Sequence, residues 1–324
     1  MGIGVKNIMK YNTLGNSGIK VSELCFGVLP MGPLQANISP GEGAKVIREG
    51  LSAGINFLDT AQAYNTYAHI KGALDSFSGE VIIASKSHAT GYQEMKDAVL
   101  EACRELNRDY IDIFHIHAAR EDKNVFRKRA GALSCLVDLK KEGIIRAIGI
   151  STHAIEVVEK SAEIKEIDIV FPLINQIGLG IIGGNPEEMI QAIKKVHNAG
   201  KGIYAMKALS GGYLIRQIEK AIDFVRNIKE ITSIAVGMIH LRELEINLKI
   251  FEHKKINQEE LAKEGFQRKK LFISAFCEGC GTCVQACPNQ ALSLREGKAS
   301  VDYNRCLTCG YCVPHCPLFA LRIV

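Results

Sequence analysis

The sequence contains no tryptophan among its 324 residues, and its formal net charge is only +5. No stripe of Lys and Arg interleaved with aromatics occurs, so the electrostatic footprint of a nucleic-acid binder is missing. No apolar run approaches the ~20 residues that a membrane span requires. Met1 to Lys10 lacks a hydrophobic core of signal-peptide length, so no leader is expected. No Gly-x-Gly-x-x-Gly follows an early apolar run, which argues against a doubly wound dinucleotide-binding sheet. Cysteine, in contrast, is abundant: there are eleven, and eight of them fall near the C-terminus in a regular pattern.

That pattern is Cys277-x2-Cys280-x2-Cys283-x3-Cys287-Pro288, followed by Cys306-x2-Cys309-x2-Cys312-x3-Cys316-Pro317. Every cysteine of the first run has a counterpart 29 residues later. Soft thiolates suit iron, and this spacing holds two [4Fe–4S] clusters, with the fourth cysteine of each run serving the other cluster. The ligand sets are therefore Cys277, Cys280, Cys283 and Cys316 for the first cluster, and Cys306, Cys309, Cys312 and Cys287 for the second. Two zinc sites or a disulfide framework are the competing readings, and neither has a use for the Cys-Pro endings. Residues 272–324 resemble a bacterial two-cluster ferredoxin. Cluster thiolates call for a reducing compartment, so a cytoplasmic protein is expected. Cys25, Cys103 and Cys135 are scattered and read as buried free thiols.

About 265 residues precede this unit, a common size for one α/β barrel. A polar patch, Gly265 to Lys270, marks the boundary, giving residues 1–265 and 266–324 as the two domains. Tyr11–Val21 reads as a small hairpin that could plug a barrel bottom. Eight short apolar runs follow: Leu24–Gly27, Asn56–Asp59, Val81–Lys86, Ile111–His117, Ala147–Ser151, Ile169–Ile174, Ile203–Lys207 and Ser233–Gly237. Helical patterns separate them, among them Glu42–Ala53, Gln93–Leu106, Leu133–Glu142 and Pro186–Ala199. The fold class expected is α/β, a (β/α)8 TIM barrel with a small C-terminal α+β ferredoxin-like domain. Arg242–Lys263 reads as a final charged helix, and Leu292–Lys298 as strand, Glu-Gly turn, strand.

Barrel active sites lie at the C-terminal ends of the strands. Asp59 ends the second run, with Tyr64 in the loop beyond it. Lys86 ends the third and His117 the fourth. Each alone has a plain reading: a loop tyrosine packs, a terminal lysine is solvated, and Asp59 caps a turn. Together they place an anion, a cation, a phenol and an imidazole at neighbouring strand ends.

Asp59-Thr60-Ala61-x-x-Tyr64, Lys86 and Asp112-Ile113-x-x-x-His117 resemble the aldo-keto reductases over about residues 10–250. The resemblance implies a (β/α)8 barrel, an NADP or NAD cofactor, a small-molecule carbonyl substrate, and Asp59, Tyr64, Lys86 and His117 as the catalytic residues. It places Ser151, Thr152 and Gln176 at the carboxamide and Met206 at the nicotinamide face. Ser210 and Gly237 fall at the phosphates, and Arg242 and Asn247 at the adenosine end. Where the NADP-dependent branches carry a basic residue, Glu243 stands here. Chemically, Lys86 should lower the phenol pKa of Tyr64, Asp59 should hold Lys86, and Tyr64 should protonate a carbonyl oxygen that His117 orients.

Hydride carries two electrons and each cluster carries one. Three functional readings follow. The barrel reduces carbonyls while the clusters are structural or regulatory; a flavin or redox partner protein bridges cluster and substrate; or the barrel is a docking scaffold in a larger redox complex. The loops after strands one, four and seven, Pro30–Pro40, Ala118–Ala130 and Ser210–Gln217, set specificity in the resembling family. The charged middle loop reads as solvated, or else as a site for an anionic substrate or acidic partner.

Overall fold

The computed structural model describes residues 9–256, 269–275, 277–318 and 320–323. The hairpin forms first: β1 (Tyr11–Thr13) pairs antiparallel with β2 (Lys20–Ser22). Eight parallel strands then close into a barrel: β3 (Leu24–Gly27), β4 (Phe57–Asp59), β5 (Ile82–Ser87), β6 (Ile111–His117), β7 (Ile145–Thr152), β8 (Ile169–Pro172), β9 (Gly202–Ala205) and β10 (Ser233–Gly237). Their order follows the chain, and β10 returns to β3. All eight anticipated runs become strands, because β-branched residues that repeat between helices suit a sheet covered on both faces.

The hairpin is the barrel's plug. Leu14, Ile19 and Val21 pack with Phe57, Ile82, Ile113, Ile169 and Tyr204 inside the barrel, and Asn16 N–H donates to Gly200 O at 2.8 Å. The opposite end is thereby left as the open mouth. Outside, a second core joins strands to helices. The helix Pro40–Ser52 starts at a capping box in which Ser39 accepts from Glu42 N–H, and Pro186–Asn198 starts at a similar box on Asn185.

Three expectations change. The last barrel helix is Leu241–Phe251, and the chain leaves it where His253 turns left-handed (φ 57°); the remainder of the anticipated helix and the 265/266 boundary lie outside the described residues. Cys103 is only half-buried, whereas Cys25 and Cys135 are buried. Asn247, placed by the resemblance at the adenosine end, is only 2% exposed, because it lies on the inward face of its helix with Leu244, Ile246 and Ile250.

The C-terminal unit has two small antiparallel sheets. β11 (Leu271–Ile273) pairs with β14 (Leu321–Ile323), and β12 (Leu292–Arg295) with β13 (Lys298–Val301). Glu296 and Gly297 both have positive φ in the tight β12–β13 turn, the Glu-Gly turn anticipated. The core of this unit is made of cysteines: Cys277, Cys283, Cys306, Cys312 and Cys316 pack with Leu271, Leu292 and Leu321. Among the described residues, no helix is long and apolar enough to cross a membrane.

Candidate functional site

The site begins with β4. Phe57 points into the barrel, so Asp59, two residues on, also points inward and reaches the mouth. Lys86 on β5 lies 2.8 and 2.9 Å from the two Asp59 oxygens and 2.6 Å from Thr60 O. Those contacts use all three ammonium protons. Tyr204 O–H from β9 donates to Asp59 Oδ2 at 3.0 Å and is 2.7 Å from His115 Nε2. His115 is thus a core histidine. Burial pushes Asp59 up and Lys86 down, and the contact between them opposes both shifts.

Tyr64 sits on a one-turn helix, Gln62–Tyr64, that ends at left-handed Asn65. The loop is pinned by Thr60 Oγ1 to Thr66 Oγ1 at 2.7 Å, and by Gln62, which bonds Glu101 and Ser87 at 2.6 and 2.7 Å. The four residues read as catalytic therefore converge: Asp59, Tyr64, Lys86 and His117 are 5%, 7%, 1% and 3% exposed. The Lys86 ammonium lies 4.9 Å from the Tyr64 ring centre and spends no proton on its oxygen. This corrects one expectation. The Tyr64 phenol is held above its ordinary value by burial, by Tyr311 and by Asp59, and is not lowered by Lys86.

His117 ends β6 opposite Ser151. Burial first, and then the neighbouring His88 and Lys86, push its imidazole well down, so it is neutral. Three neighbours escaped the sequence reading. His88 stacks on His117 at 4.1 Å and 16°. Tyr204 has been described, and Phe171 stacks on it at 3.8 Å and 12°. Parity along β8 and β9 was the available signal for Phe171 and Tyr204. The charged middle specificity loop is less open than its charges suggested: Arg129 donates to His117 O at 3.0 Å and pairs with Glu121 at 2.6 Å. Asp112 is structural, bonding Ile83 N–H at 3.0 Å and Arg146 at 2.8 Å.

Beside this cluster a groove encloses about 1030 Å³ of space, part of it open to solvent. Gly27, Asp59, Tyr64, Phe171, Met206, Lys207, Gly211, Gly212, Gly237 and Glu243 line it from the barrel, and Lys269, Leu307 and Thr308 from the C-terminal unit. Of the residues assigned to a dinucleotide, Met206 and Gly237 line it. Ser151 and Thr152 are buried behind it, where Thr152 Oγ1 accepts Ala154 N–H at 3.1 Å. Gln176 is half-buried in the next loop, and its neighbour Asn175 is committed to Leu179 at 3.0 and 3.1 Å. Ser210 is buried with φ 50° and an unpartnered Oγ, and Asn247 likewise has an unpartnered Oδ1. Arg242 bonds Glu245 at 3.3 Å. Glu243 accepts Ile239 N–H at 2.6 Å, so it caps the helix whose N-terminus faces the groove. The groove and the orphaned oxygens of Ser210 and Asn247 fit an elongated polar cofactor.

In the C-terminal unit, the thiols gather as the spacing required. Burial raises Cys283, and its charged neighbours are Cys277, Cys280 and Cys316. Burial also raises Cys312, whose neighbours are Cys309, Cys287 and Cys306, with Cys283 last. Backbone amides point at sulfur: Ala291 N to Cys287, Ala299 N to Cys277 and Ala320 N to Cys316, at 3.3, 3.4 and 3.2 Å. Among the described residues, no three His, Cys, Asp or Glu side chains close on a single ion. A tetrahedral zinc ion would need thiolates about 3.8 Å apart, so the arrangement fits a larger inorganic core.

Comparison with known proteins agrees. The model of the Aldo/keto reductase family matches residues 23–262, and that of the 4Fe-4S dicluster domain matches residues 276–320. The L-galactose dehydrogenase of Arabidopsis thaliana is 25% identical over 74% of this chain and 87% of its own. Methylglyoxal reductase DkgA of Escherichia coli is 25% identical over 56% of this chain and 67% of its own. Among solved structures, an aldo-keto reductase of Bacillus halodurans in its holo form superposes with a TM-score of 0.63. It is 22% identical and covers 78% of this chain and 94% of its own.

Proposed function

Because the chain belongs to the aldo/keto reductase family and carries a 4Fe-4S dicluster domain, we propose that its barrel reduces a small-molecule carbonyl at the expense of NADH or NADPH. The observation that carries this reading is the convergence of Asp59, Lys86, Tyr64 and His117 at the mouth, beside a groove lined by glycines and Met206. The cofactor, when bound, supplies a hydride to the carbonyl carbon. Tyr64 gives the proton to the carbonyl oxygen. Lys86 places a positive charge beneath the Tyr64 ring, and Asp59 with Tyr204 holds Lys86 in place. His117, neutral and braced by Arg129 at its backbone oxygen, orients the carbonyl. Met206, Gly237, Gly211 and Gly212 would lie along the cofactor, and Glu243, which stands where a cation would favour a 2′-phosphate, supports NADH. The test is anaerobic turnover of an aldehyde panel with each nucleotide by wild type and Tyr64→Phe; equal rates in both proteins sink the reading.

The position of the thiols favours a second role alongside the first. Cys280 is exposed, whereas Cys306 and Cys309 lie against Lys207 at the groove. With Cys277, Cys280, Cys283 and Cys316 holding one cluster and Cys306, Cys309, Cys312 and Cys287 the other, single electrons could be relayed between a partner protein and the barrel. Mixing the anaerobic protein with NADH and following visible bleaching tests this; no bleaching with any reductant partner argues against it.

A further inference from the structure

The two domains meet at backbone distance. A Cβ on Gly211 would collide with Leu307 O, one on Gly310 with Leu34 O, and one on Gly180 with the Leu307 side chain at 2.6 Å. Thr308 Oγ1 donates to Gly211 O at 2.8 Å. The loop held in this way presents Tyr311, which lies between the cluster ligands Cys309 and Cys312. Its side chain packs against the buried cluster of Leu34, Ala61 and Tyr64. Its hydroxyl is 3.2 Å from His117 Nε2, and its side chain packs beside Tyr64.

We infer that Tyr311 is a further residue of the substrate site, lent by the iron–sulfur domain, whose phenol occupies the acceptor-oxygen position between Tyr64 and His117. The inference rests on the carbonyl-reduction reading of that site. A substrate carbonyl must bond the same two groups, so it must displace this hydroxyl. Packing alone does not account for a hydroxyl here, because a phenylalanine would fill the same apolar pocket against Leu34 and Ala61. The oxygen meets the orienting imidazole of His117 at 3.2 Å, beside the proton donor Tyr64. Because the ligands Cys309 and Cys312 flank Tyr311, the cluster-binding loop sets how far the ring can withdraw. The iron–sulfur domain thereby selects acceptors by how readily they push the Tyr311 ring aside.

The test compares wild type, Tyr311→Phe and Tyr311→Ala, purified anaerobically as the full chain and matched for iron content. Binding of 4-nitrobenzaldehyde is first measured by equilibrium dialysis without nucleotide. Affinity should rise in the order wild type, Phe, Ala, by roughly tenfold overall. KM for the same aldehyde should fall in that order when NADH or NADPH is added. Equal affinity in all three proteins, with wild-type turnover intact, overturns the inference and leaves the carbonyl reading standing. Absence of both binding and turnover in all three overturns both. Should Tyr311→Ala lose iron, Tyr311→Phe, which keeps the ring, carries the comparison alone.

Discussion

The ammonium of Lys86 grips both carboxylate oxygens of Asp59, at 2.8 and 2.9 Å, inside a barrel where Lys86 is 1% exposed. Removing either partner leaves the other charge buried, which costs roughly 3–5 kcal/mol. Lys86→Met and Asp59→Asn should each lower the urea midpoint strongly. Lys86→Met combined with Asp59→Leu should recover much of that loss, because no buried charge then remains. A double variant as unstable as the sum of the two singles would show that the pair is not coupled in this way.

Tyr64→Phe should lower turnover of any accepted aldehyde by roughly a hundredfold or more. Nucleotide affinity should change far less than turnover, since the phenolic proton is given in the transition state and not in nucleotide binding. Fluorescence titration with NADH separates the two effects. A fall in nucleotide binding equal to the fall in rate would mean that Tyr64 shapes the groove and does not donate the proton.

The ligand partition predicts a pattern of iron loss. Cys283→Ser and Cys316→Ser each remove a thiolate from the same cluster, so each should lower bound iron by about half, and their combination should lower it no further. Cys283→Ser with Cys287→Ser should empty both sites. Iron content and electron paramagnetic resonance of the reduced proteins report the outcome; additive loss in the Cys283–Cys316 pair contradicts the assignment.

Stability should fall between pH 7 and pH 5. His153 is pushed down to about 3, by burial first and then by Lys207 and Arg120. His115 is pushed well down by burial and by Lys86. A histidine depressed on folding contributes fully above its unfolded value near 6.5, and the contribution is lost as pH falls toward the folded value. The slope is about 1.4 kcal/mol per pH unit for each such histidine. Asp59 and Asp112, raised by burial, pull in the opposite sense at lower pH. The comparison is therefore between wild type and His153→Gln, whose urea midpoints should converge as pH falls. Parallel curves would rule out His153 as a contributor.

Local signals carried much of this structure. The eight strands follow from apolar runs of the right length and spacing, and β3, β6 and β10 have the anticipated limits. The cysteine repeat and the four strand-end residues were readable because each depends on short spacings or on chain polarity in a barrel. Tyr311 was not readable: it meets His117 across 194 residues, and nothing near it signals that contact. The same holds for Tyr204, which reaches Asp59 across 145 residues. Nor could the sequence reveal that Asp59 and Thr60 would take every proton of Lys86, since that depends on the angle at which the β4 loop leaves the barrel. Burial of Asn247 was missed because its helix faces inward on a side that also carries charged residues.

Gly180, Gly211 and Gly310 have further meaning for the chain as a material object. Backbone meets backbone at Gly211 and Gly310, and at Gly180 it meets the Leu307 side chain, so the joint at these points is packed like an interior. The barrel and the cysteine-rich unit should therefore melt together, with iron released when the barrel loosens rather than before it.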